Sequence, residues 1–278
     1  MRYREVQPNN HLARFIECFW ILDGEQPPID SAPERILPDG CVEIILNLAA
    51  PFSAIDHDGR RTIQPQHFLV GQMTQPILIA PTGTVRLIGI RFHPGGTVPF
   101  IRLPMSETIN RVVDLRAVAS AFEHELLRAI DGEAELLERI AYLELALTRR
   151  LRQNKKEPRL LDLAANVVKA AGHVSLDDLA AQAAMSPRQL RRTFLQEVGI
   201  GPKLLCRLLR FQQVFAAVNR AENEWAEVAI DCGYYDQAHL IKDFRQFAAE
   251  TPAALLHTPG NLTEAFLRKN RPSVFSNT

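Results

Sequence analysis

LAAQAAMSPRQLRRTF, residues 179–194, and VAIDCGYYDQAHLIKDF, residues 228–244, decide how the second half of this chain folds. Each opens on an apolar residue followed by alanine, Leu179-Ala180 and Val228-Ala229. Each then passes a turn that closes on a large apolar residue, Met185 or Tyr234, and ends with two apolar positions four apart, Leu190 and Phe194 or Leu240 and Phe244. A short helix that turns sharply onto another needs a small residue where the two cross and little bulk in the turn. Ala180 and Ala229 meet the first need; Ala183, Ala184 and Gly233 meet the second. The repetition predicts two successive helix-turn-helix units.

The helix starts are written locally. Ser175 with Asp178 three residues on reads as an N-cap, and Ser186-Pro187-Arg188-Gln189 places a cap, a first-turn proline and a capping-box glutamine in order. If Leu190, Phe194 and Val198 face inward, Arg188, Gln189, Arg191 and Arg192 face outward near the N-terminal end. That end is what a recognition helix offers a major groove, and Arg and Gln pair bidentately with guanine and adenine edges. Residues 186–211 hold six cations (Arg188, Arg191, Arg192, Lys203, Arg207, Arg210) and one anion, Glu197, whereas the whole region 159–257 is neutral. Positive charge is expected to gather where phosphates would lie.

Working outward, the first 113 residues change style. PERILPDGCVEIILNL, QHFLVGQM and GTVRLIGIRFHPGG are short apolar runs bounded by turn residues, which read as strands. In the run 42–48, Val42, Ile44, Leu46 and Leu48 form one wholly apolar face, with Cys41, Glu43, Ile45 and Asn47 on the other. From Asp114 onward, apolar residues recur at three- and four-residue steps, predicting helices over 114–130 and 133–151 on either side of Asp131-Gly132. The cationic RRLRQNKKEP marks a solvated linker. The expected division is a β-rich domain over 1–113, a helical linker or dimerisation region over 114–157, an all-α domain over 158–257, and a disordered tail over 258–278. The two linker helices carry more apolar positions than a connector needs, so one of them, the second, is expected to pack in a symmetric homodimer.

At 278 residues the chain has room for about two domains. Hydrophobic residues at 46% and charged residues at 23% exclude a disordered or fibrous protein. Lys plus Arg (32) balances Asp plus Glu (32), so any nucleic-acid binding must come from a local patch. The four cysteines form no C-x-x-C pair, which argues for reduced thiols rather than a disulfide framework or zinc site. The longest apolar run is far short of the ~20 residues a spanning helix needs, and the N-terminus has no signal-like apolar segment. The expected location is the cytoplasm, with no membrane contact.

The region from about 160 to 256 resembles the AraC/XylS family of transcription regulators. The resemblance rests on the pattern LAxxxxMSPxxLxRxF over 179–194, Gly199-Ile200-Gly201-Pro202 opening a joining helix that runs to about Asn219, and IAxxxGFxDxxxFxRxF over 228–244, closed by Thr251-Pro252. Tyr234 and Leu240 stand where that family has Phe, and Ala249-Glu250-Thr251-Pro252 lacks its usual glycine. The resemblance implies an α+β multidomain protein whose all-α C-terminal domain binds double-stranded promoter DNA through two helix-turn-helix units, and it admits RNA polymerase as a further partner. It would place DNA contacts on Arg188, Gln189, Arg191 and Arg192 in the first unit, and on Gln237, Ala238, His239, Lys242 and Arg245 in the second. Ala238 can offer only apolar contact to a thymine methyl, so the second unit is expected to specify less sharply.

Phe15-x-x-x-Phe19-Trp20, Leu37-Pro38-Asp39-Gly40 with Glu43-Ile44-Ile45, and Gly89-x-x-Phe92-x-Pro94-Gly95-Gly96 resemble the β-rich sensor region of one AraC-family branch, implying a cupin-like N-terminal domain that responds to a small-molecule effector. Its pocket is expected between apolar strand faces such as those of 42–48 and 85–92, with Trp20, Glu43, Arg91 and His93 as candidate ligand contacts. A purely structural Glu43–Arg91 pair is the competing reading. His57, His67 and His93 are scattered singly, and neither a metal-binding cupin pattern nor a nucleophile or phosphate-loop motif is present. The expectation is a non-enzymatic regulator with no metal and no cofactor. The alternatives are a metal-binding or enzymatic cupin tethered to DNA, and a protein-binding adaptor built on the same helices.

Overall fold

A computed structural model describes residues 1–25, 33–154, 156–218 and 225–257. The N-terminal body is built on two antiparallel sheets. Six strands, in the order β1 (Arg2–Val6), β2 (Ile16–Gly24), β9 (Val85–Phe92), β4 (Val42–Asn47), β7 (His67–Val70) and β10 (Val112–Asp114), make one sheet. The other holds β3 (Glu34–Ile36), β8 (Ile77–Pro81), β5 (Phe52–Ile55) and β6 (Arg61–Ile63). The three quoted apolar runs become β3 with β4, β7 and β9. The nine-residue β2 falls outside those runs, as do β1, β5, β6, β8 and β10, at most five residues each.

Period-two side-chain alternation gives the large sheet two working faces. Phe19, Ile21, Val42, Ile44, Leu46, Leu69, Ile88, Ile90 and Phe92 pack against helices α1 (Leu115–Ala129) and α2 (Leu136–Gln153), through Phe122, Leu126, Ile140, Leu143 and Leu147. The opposite face, with Cys18, Trp20, Leu22, Val85 and Leu87, looks toward Phe52 and Ile79 of the smaller sheet. Strand β2 is covered on both sides, which is why IECFWILDG reads as a nearly continuous apolar run. The segment expected to be a helical linker or dimerisation region therefore supplies the third layer of the N-terminal body. Its helices begin at Asp114, whose side chain accepts from Arg116 N, and at a Glu135/Glu138 capping box.

The C-terminal body is helical: α3 (Leu161–Lys169), α4 (Leu176–Gln182), α5 (Pro187–Glu197), α6 (Pro202–Val218), α7 (Trp225–Asp231), α8 (Gln237–Phe247) and α9 (Pro252–His257). Leu179, Leu190, Phe194, Val198, Val228, Leu240 and Phe244 meet Leu205, Leu208, Phe211 and Phe215 of α6 in one core. The two bodies interlock. Leu37 from the sheet domain is buried in the helical core, and Leu161 of α3 is buried in the sheet-and-helix core. The expected disordered tail, 258–278, lies outside the described residues. Among the described residues no helix is long and apolar enough to cross a membrane, and the four cysteines are free thiols.

Candidate nucleic-acid interface and sensor cavity

Each helix-turn-helix unit is assembled by local capping. Ser175 Oγ accepts from Asp178 N at the start of α4. Ser186 Oγ accepts from Gln189 N at the start of α5, and Gln189 Oε1 in return accepts from Ser186 N at 2.9 Å. Asp236 caps α8 by accepting from His239 N at 2.7 Å. With the apolar side of α5 buried on Leu190 and Phe194, Arg188, Gln189, Arg191 and Arg192 are all exposed. Arg188 and Arg192, four apart, share one helix face with Arg191 beside them. On α8, Gln237, Ala238, Lys242 and Arg245 are exposed, and His239 is half-buried, its ring edge-on to Tyr234.

The structure revises the electrostatic expectation. Arg207 does not face outward with the other cations: Nη2 lies 2.6 Å from Asp243 Oδ1 of α8, and the guanidinium sits over the Phe247 ring. Arg210 Nη1 donates to Gly172 O at 3.4 Å, with its guanidinium near the Tyr234 ring. Arg188, Arg191, Arg192 and Lys203 are the exposed cations of that segment. Gln189 is partly committed as well, because its carbonyl oxygen serves the cap.

The two turns solve the same geometric problem with different residues. Each needs a left-handed backbone just before its closing apolar residue; Gly233 adopts φ +74° there, and Ala184 adopts φ +49°. A side chain pays roughly 1–2 kcal/mol for that conformation. Gly233→Ala is expected to destabilise the helical domain by at least that amount, because its Cβ would also overlap the His173 ring. Ala184→Gly should raise stability by up to ~1 kcal/mol. Urea titrations of both variants check the opposite signs. A third left-handed residue, Ala249 at φ +59°, ends α8 where the sequence lacks the family's glycine. The turn forms nonetheless.

Sequence reasoning missed Tyr235, 86% exposed at the start of the α8 cap. The signal was present: Leu240 lies six positions after Tyr234, but Leu190 lies five after Met185. The extra residue lengthens the second turn and leaves the Tyr235 ring projecting beside the recognition-helix position.

Between the two sheets lies a cavity of about 150 Å³. Trp20, Glu43 and Arg91 line it, together with Tyr3, Arg35 and Gln64 and an apolar wall including Phe52 and Phe68. His93 does not reach it; its backbone N–H bonds Phe15 O at the far end of β9. The pocket walls also differ from expectation. The wholly apolar face of 42–48 is covered by α1 and α2, and the face interrupted by Glu43 lines the cavity. The Glu43–Arg91 pair forms on the cavity wall: Arg91 Nε donates to Glu43 Oε1 at 2.6 Å, and Trp20 Nε1 donates to the same oxygen at 3.1 Å. Burial works against the Arg91 charge, but Glu43 and Asp39 outweigh it and push its pKa upward. Burial also raises the Tyr3 hydroxyl well beyond its usual range, so it stays protonated while it donates to Glu5 at 2.6 Å. Gly89 has no room for a Cβ because the Trp20 indole lies across it.

Residues 179–258 match the family described as a helix-turn-helix domain. The chain carries an AraC-type helix-turn-helix domain. Residues 4–114, which hold the two sheets, match a domain of unknown function, DUF6597. No curated protein matches the chain. Among solved structures, ToxT from Vibrio cholerae O395 is similar at 9% identity, with 86% of this chain and 96% of that one covered and a TM-score of 0.42. A transcriptional regulator of the AraC-type DNA-binding group from Chromobacterium violaceum is similar at 24% identity, covering 37% of this chain and 96% of that one, TM-score 0.33. The C-terminal domain of AraT, a response regulator from Geobacillus stearothermophilus, is similar at 19% identity, covering 44% and 94%, TM-score 0.32. The AraC-type domain makes the chain a DNA-binding transcription regulator in class.

Proposed function

We propose that this protein is a sequence-specific regulator that reads promoter DNA through α5 and α8 and responds to a small molecule held between its two sheets. One observation carries the reading: Arg188, Arg191 and Arg192 stand exposed on the first turns of a capped second helix, and the unit is repeated at α7 and α8. Helix α6, at 17 residues, spans about 26 Å, a length suited to holding two recognition helices in major grooves one turn, about 34 Å, apart. The test is selection from a random duplex library by the full chain. A recovered site with two information-rich segments about one helical turn apart supports the reading. Equal, strongly salt-dependent binding to all sequences would favour a non-specific or adaptor role.

We also propose a homodimer through α2. Its outer face carries Leu137, Ala141, Tyr142 and Leu145 exposed, the last at 65%, while Ile140, Leu143 and Leu147 are buried on the sheet. Light scattering at micromolar concentration should give twice the chain mass, and Leu145→Asp should halve it. A monomer from the unaltered chain sinks the proposal.

A further inference from the structure

The cavity between the sheets has a defined chemistry. Among the described residues its two cations are already matched by carboxylates: Arg91 by Glu43, with Asp39 and Glu5 each at 3.4 Å, and Arg35 by Glu250 at 2.7 Å. An ionic ligand would have to compete with one of these pairs or bring its own charge into an apolar wall uncompensated. Gln64, 8% exposed, lines the same cavity, where its backbone N–H donates to Phe52 O at 2.8 Å and its side chain carries an amide. That amide brings both a donor and an acceptor to a largely apolar wall. The volume, about 150 Å³, matches an engineered apolar cavity that accommodates benzene.

The wall nearest the helical body is strand β3 with the residues after it. Arg35 and Leu37 both line the cavity. Arg35 Nη1 also donates to Ala248 O, the carbonyl that follows α8, and pairs with Glu250. Leu37 is buried in the core formed by α6 and the two helix-turn-helix units, and Pro38 O accepts from Gln212 of α6. One short segment is therefore at once a wall of the cavity and a clamp on the joining helix and on the end of the second recognition helix.

Resting on the sensor reading above, we infer that the effector is an uncharged single-ring aromatic compound whose hydrogen-bonding substituent meets Gln64, and that β3 reports its binding through the Arg35–Glu250 contact. A ligand shifts an equilibrium only by binding its two states unequally. A ring seated against Arg35, Ile36 and Leu37 does so whenever the two arrangements of sensor and helical domain place β3 differently.

The probes are phenol and benzamide against benzoate and benzylamine, titrated calorimetrically into the full chain. Phenol or benzamide is expected to bind, both ions to bind at least tenfold more weakly, and Gln64→Leu to weaken the neutral compounds at least tenfold. With DNA recovered by selection, the bound neutral compound should change DNA affinity by roughly 5- to 150-fold. Arg35→Met, and independently Glu250→Gln from the opposite side, should keep compound binding and lose that change. Preferred binding of benzoate or benzylamine, or no binding by any probe, overturns the ligand class while leaving DNA recognition to stand on its own test. Compound binding with an undiminished DNA response in both variants overturns the β3 route.

Discussion

Replacing Arg207 by leucine is expected to destabilise the helical domain by ~3–5 kcal/mol, the cost of leaving a buried carboxylate without its cation. Asp243 is 1% exposed, and its Oδ1 accepts from both Arg207 Nε at 3.2 Å and Nη2 at 2.6 Å. This pair ties α6 to α8 beside the ring cluster of Phe211, Phe244 and Phe247. The double change Arg207→Met with Asp243→Leu should recover most of the loss, because removing both charges also removes the desolvation penalty. Urea unfolding followed by circular dichroism measures both. A loss below ~1 kcal/mol in the single variant would match an exposed ion pair and not a buried one.

Arg192→Ala is expected to weaken binding to the selected DNA site by ~1–3 kcal/mol, roughly 5- to 150-fold, and to relax preference at one base position. The fold should be untouched, since the Arg192 side chain is exposed and the face of α5 that packs inward is Leu190, Thr193 and Phe194. Fluorescence anisotropy on the cognate site and on single-base variants separates two roles. A uniform loss across all sequences, with a shallower salt dependence, would make Arg192 a phosphate contact.

The helical half was legible because its signals are local. Ser186, Pro187 and Gln189 set the start of α5 within four residues, and the spacing of Leu190 and Phe194 fixes which side is buried. Neither needs knowledge of a distant segment. The departure at Ala249 was visible in the same way, as a missing glycine where the backbone turns left-handed. Long-range electrostatics were not legible. Arg207 looked like a phosphate-facing cation until folding placed Asp243, 36 residues later, against it.

In the N-terminal half, alternation along 42–48 fixed that the strand has two unlike faces, and this much the sequence alone determined. Which face met helices and which met a second sheet depended on α1 and α2, more than 65 residues downstream, and tertiary packing alone decided it. That choice carried the site with it. Trp20, Glu43 and Arg91 converge because β2, β4 and β9 are neighbours in one sheet, whereas Arg35 and Gln64 join them only because the smaller sheet closes over that face. Local chemistry writes caps, turns and buried stripes into adjacent residues. A cavity belongs to no segment, and it exists only where layers from across the chain are stacked.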